Sequence, residues 1–99
     1  MSKTVERTEM RSITSPGFAM QVDKAKYDAM KDALLAAIPA GKPGLTIAEI
    51  KERTLPLLPE ERFPGGAKAG WWLKGVQLDL EARGLIAREN VKPLRLHRL

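Results

Sequence analysis

Proline and glycine cut this chain into pieces, and their positions decide how long any helix can run. Pro39 and Gly41 close one apolar-periodic stretch, Pro56, Pro59 and Pro64 keep residues 56–66 irregular, and Gly84 supplies a left-handed stop for another. Three windows of helical length remain between these breaks.

Each window carries its own start signal. Asp23 is a good N-cap, and Val22 with Tyr27 has the spacing of a hydrophobic staple. Tyr27, Met30, Leu34, Ala37 and Ile38 then recur at three- and four-residue intervals, with Lys24, Asp28, Lys31 and Asp32 on the other side. Thr46 and Glu49 form a capping box, and Leu45 with Ile50 repeats the staple, so a second helix begins at Thr46 and breaks at Leu55-Pro56. The third helix follows Gly65-Gly66 and runs from about Ala67 to Arg83. Its core face is Ala69, Trp72, Leu73, Val76 and Leu80.

Leu85 to Arg88 and Leu94 to Arg98 are strand-like runs separated by five residues, the spacing of a hairpin. Placing Glu89 opposite Leu94 sets Arg88 across from Arg95. Upstream, Ser15-Pro16-Gly17 is a turn signal and Phe18 to Val22 reads as a short strand, while the first fifteen residues read as a frayed arm or one edge strand. The pattern predicts a mainly α fold with a small β-hairpin, a winged helix-turn-helix, in which residues 1–17 form an N-terminal arm and residues 18–99 the domain. The segment of about ten residues between helices two and three departs from the tight turn of a DNA-binding helix-turn-helix.

The runs GLTIAEIKE, GGAKAGWWLKGVQLDLEARGLIARE and KPLRLHR resemble a family of small bacterial winged-helix-like proteins of unknown function. The likeness covers roughly residues 20–98. It implies that architecture and brings no established activity.

The parts of a catalytic site are missing from the sequence. With no cysteine there is no disulfide, thiolate ligand or cysteine nucleophile, and the three serines all lie within the first fifteen residues. His97 is the lone histidine and reads as a surface residue. Asp79 and Glu81, on either side of Leu80, read as solvated helix charges. The expectation is a non-enzymatic protein with no cofactor and no metal. No apolar run approaches a membrane span or a signal-peptide core, so the expected address is the cytoplasm.

Net charge is +5, and its excess is concentrated: residues 85–99 carry four basic groups against one acidic. The leading functional expectation is weak DNA binding by the hairpin, through Arg88, Lys92, Arg95 and Arg98, with Lys68, Lys74 and Gln77 adding contacts from the third helix. A major-groove helix, however, presents polar side chains, whereas Trp71, Gly75, Leu78 and Ala82 form a second apolar face here. That face supports the alternative of a homodimer or other protein contact, unless the N-terminal arm covers it. A weaker third reading is an anion or small-ligand site at Gly66 to Lys68, where a helix begins after glycines.

Overall fold

Asp23 ends a strand and starts a helix. Its carboxylate accepts the Lys26 N–H at 3.2 Å, and Val22 and Tyr27 on either side of the cap are both buried. The computed structural model describes residues 6–99. Its elements run β1 (Arg7–Arg11), β2 (Ala19–Asp23), α1 (Lys24–Ala37), β3 (Leu45–Thr46), α2 (Ile47–Thr54), α3 (Ala69–Ala82), β4 (Ile86–Glu89) and β5 (Arg95–Arg98). The capping box is formed as expected: Thr46 Oγ1 accepts the Glu49 N–H at 3.3 Å, and Glu49 accepts the Thr46 N–H at 2.9 Å. All five residues of the expected core face of α3 are buried.

The expectation of a mainly α winged helix-turn-helix is corrected by the strands and by the helix packing. Five strands make two separate antiparallel sheets, one of order β1-β2 and one of order β3-β5-β4. Helix α1 packs against both α2 and α3, whereas α2 and α3 scarcely meet. Two short 3-10 turns, Leu55–Leu57 and Pro64–Gly66, occupy the connection between those helices. Prolines lengthen this connection, and Phe63 from it is buried edge-on against Trp72 with ring centres 6.3 Å apart.

The first sheet forms because the N-terminal segment finds partners on α3. Arg11 N–H donates to Asp79 Oδ1 at 2.8 Å and Ile13 N–H donates to the Leu78 carbonyl at 3.2 Å. Met10 is buried in the same core as Tyr27, Val76 and Leu80. Residues 7–11 are therefore part of the packing that sets the helix positions.

In the second sheet the register differs from the expected one by a residue. Glu89 stands opposite Arg95 and Arg88 opposite Leu96. The cause lies in Glu89, which turns inward to accept the Gly44 N–H at 2.7 Å and faces His97 Nδ1 at 2.9 Å. Gly44 is required there, since a Cβ would meet Glu89 Oε2 at 2.6 Å and run into the Leu96 carbonyl. His97 is thus buried, contrary to its expected surface position.

Candidate interaction groove

Helix α3 carries buried charges, and these determine how the rest of the molecule is arranged around it. Asp79 is fully buried and accepts from the Tyr27 hydroxyl, from Arg83 Nε at 2.9 Å and from the Arg11 N–H. Burial, then the bond to Asp79, push the Tyr27 hydroxyl pKa well above its ordinary value. Glu81 is also buried and takes two bonds from Arg88, at 2.6 and 3.0 Å. The bond to Glu81 raises the Arg88 pKa further. The expectation of solvated charges at 79 and 81 is therefore corrected: each sits where a basic side chain and further donors satisfy it.

These pairings decide what the basic residues can offer outward. Arg88 is tied to Glu81, Arg95 donates to the Gly44 carbonyl at 2.8 Å, and Arg98 donates to the Ile38 carbonyl at 2.7 Å. Lys92 is exposed in the β4–β5 turn, Lys68 is exposed in a left-handed conformation just before α3, and Lys74 is exposed on the helix. Gln77 is buried, its amide nitrogen 3.0 Å from Glu81 Oε2, so it cannot reach a base edge. At the glycine turn, Gly65 N–H already donates to Glu60 Oε1 at 2.8 Å. Within the expected anion site, the Gly66 and Ala67 N–H groups donate to the Phe63 and Pro64 carbonyls at 2.9 and 3.0 Å.

The second apolar face of α3 meets the β1–β2 hairpin. Met10 lies over Gly75 so closely that a Cβ there would come within 2.8 Å of Met10 Cε. Cover stops short of Trp71, which is 52% exposed and packs edge-on against Trp72 with centres 5.2 Å apart. Between hairpin and helix a groove of about 440 Å³ remains, lined by Met10, Phe18, Met20, Trp71 and Leu78, with Lys74 and Arg11 along its walls. Ala82 lies instead beside a neighbouring depression with Ile13 and Phe18.

Three of the four expected interface residues, Trp71, Gly75 and Leu78, thus come together at one site, and the hairpin contributes the other wall. The sequence reading missed Met10, Phe18 and Met20 as lining residues. A signal was present: Phe18, just before β2, and Met20 and Val22 within it follow the two-residue period, and exposure falls from Phe18 through half-buried Met20 to buried Val22. Met10 is the cross-strand partner of Met20.

A family model matches residues 7–96, from the start of β1 into β5. The chain belongs to DUF6958, a family of unknown function. The matched DUF6958 span contains both walls of the groove and all of the buried-charge pairs just described. No curated protein and no solved structure matches the chain. No helix among the described residues is long and apolar enough to cross a membrane.

Proposed function

We propose that this chain is a non-enzymatic protein-interaction module whose groove between the β1–β2 hairpin and α3 receives an apolar side chain from a partner. One observation carries the reading. Trp71 and Phe18, 52% and 44% exposed, stand on opposite walls of the same methionine-lined groove. Exposed large apolar groups gathered at one concave place favour a binding surface, and aromatic and methionine side chains are suited to that role.

DNA binding by the hairpin is the less favoured proposal. Three of its four basic groups are held by a carboxylate or backbone carbonyls of the chain itself, which leaves Lys92 as the unengaged charge.

Selection from a displayed random-peptide library tests the preferred reading. Peptides sharing an apolar residue should be enriched on the wild type and lost on Trp71→Ala or Phe18→Ser. Circular dichroism would confirm that both variants fold. Absence of enrichment, or binders indifferent to both substitutions, would refute the proposal.

A further inference from the structure

We infer that the partner segment is an acidic, apolar peptide, whose carboxylates meet Lys74 and Arg11 while its apolar side chain rests against Trp71 and Phe18. This inference rests on the groove being an interaction site, as proposed above, and adds the chemistry of the occupant.

Charge complementarity is the first argument. The groove has a cation on each wall: Lys74 stands on α3, and Arg11 extends from the end of β1. Lys74 forms no ion pair among the described residues. Arg11 Nε is bonded to Glu9 at 2.7 Å, and the Arg11 side chain is largely exposed. Among the described residues no carboxylate lines the groove; its remaining polar side chains are the hydroxyls of Ser12, Thr14 and Ser15. An apolar segment bearing acidic residues would find the unpaired Lys74 on one wall, the exposed Arg11 guanidinium, shared with Glu9, on the other, and hydroxyl donors at one end.

The same charges disfavour the alternatives. A twofold contact between copies of this chain would bring Lys74 and Arg11 of both copies to one interface, in a protein that already carries net charge +5. Single-stranded nucleic acid also pairs cations with aromatic rings, but it needs an open platform for stacked bases. Here Met10, Met20 and Leu78 line a concave slot, which suits an inserted side chain better than a stack.

The test is fluorescence anisotropy with three labelled peptides that share a central tryptophan-leucine pair flanked by aspartates, by serines or by lysines. The aspartate peptide should bind about fivefold more tightly than the serine peptide at low salt, the range for exposed ion pairs, and the lysine peptide more weakly than either. Lys74→Gln should remove most of that preference and Lys74→Glu should reverse it; Lys74 is exposed, so both variants should melt like the wild type. Equal binding of aspartate and serine peptides, lost in both cases on Trp71→Ala, would overturn the acidic partner while leaving the groove reading intact. Binding unaffected by Trp71→Ala and Phe18→Ser would overturn both. Competitive displacement of the aspartate peptide by oligouridylate, or a wild-type dimer in sedimentation that Trp71→Ala dissociates, would overturn the inference in favour of nucleic acid or self-association.

Discussion

Arg88 on β4 holds Glu81 on α3 with two parallel bonds, Nε to Oε1 at 2.6 Å and Nη2 to Oε2 at 3.0 Å. The carboxylate side is 3% exposed and the guanidinium side 43%. Removal of the arginine leaves a buried carboxylate with only the Gln77 amide as partner. Arg88→Ala should therefore cost about 2 kcal/mol in urea unfolding, below the full value for a buried pair because water reaches the arginine. Loss under about 0.5 kcal/mol would mean that the pair contributes as an ordinary surface bridge.

Engagement of the hairpin arginines also sets an expectation for DNA. With Lys92 as the unengaged hairpin cation, a variant in which the exposed Lys68 and Lys74 are replaced by alanine should show a slope of log affinity against log salt on random duplex no steeper than about −1. A slope near −3 in that variant would require Arg88, Arg95 and Arg98 to leave their internal partners for phosphate, and would restore the DNA-binding reading.

Tyr27 and Asp79 allow a cleaner test of the buried network. Tyr27→Phe keeps the ring and removes a donor to a fully buried carboxylate. The expected loss is about 2 kcal/mol, typical of a bond to a charged group. Asp79→Asn should cost at least as much, since it also weakens the hold on Arg83. If Tyr27→Phe were neutral by equilibrium denaturation, Arg83 and the Arg11 N–H would be sufficient partners for Asp79.

Glu89 should make the fold acid-sensitive. Burial alone would raise its carboxyl pKa, but the bonds from His97 and the Gly44 N–H outweigh burial and hold it below the ordinary 4.5. The folded state then binds the proton less readily than the unfolded state does. The resulting stabilisation is complete above the unfolded value and disappears as pH falls through the lower folded value. The melting temperature of the wild type should fall from about pH 5 downwards, and Glu89→Gln should flatten that fall while lowering the plateau above it. Parallel curves for the two proteins would assign the acid sensitivity elsewhere.

The helices were legible in the sequence because their signals are local. Asp23, Thr46 and Glu49 cap within three residues, and the α3 core face follows from period alone. β1 was not legible as a paired element of the core: in Arg7–Arg11 Met10 is the buried residue, and the strand is secured by bonds to β2 and by Asp79 sixty-eight positions away. The same separation hid the roles of Asp79 and Glu81, because a helical wheel ranks charges by type and cannot see an arginine or tyrosine arriving from elsewhere. In the site, Trp71, Gly75 and Leu78 were visible as a face, but the hairpin wall depended on a pairing that no local rule specifies.

In the proposed interaction groove, Asp79 bears on geometry as well as on stability. It bonds to Arg11 at the end of β1, to Tyr27 of α1 and to Arg83 just after α3, so the elements that carry both walls of the groove converge on one buried charge. Pulling the hairpin from the helix would strand that carboxylate without its donors, which is costly in the interior. The spacing between Trp71 and the hairpin is therefore fixed before any partner arrives. A partner would meet a preorganised slot, so that little of its binding free energy is lost to ordering the receptor, and selectivity falls on the shape of the side chain it presents.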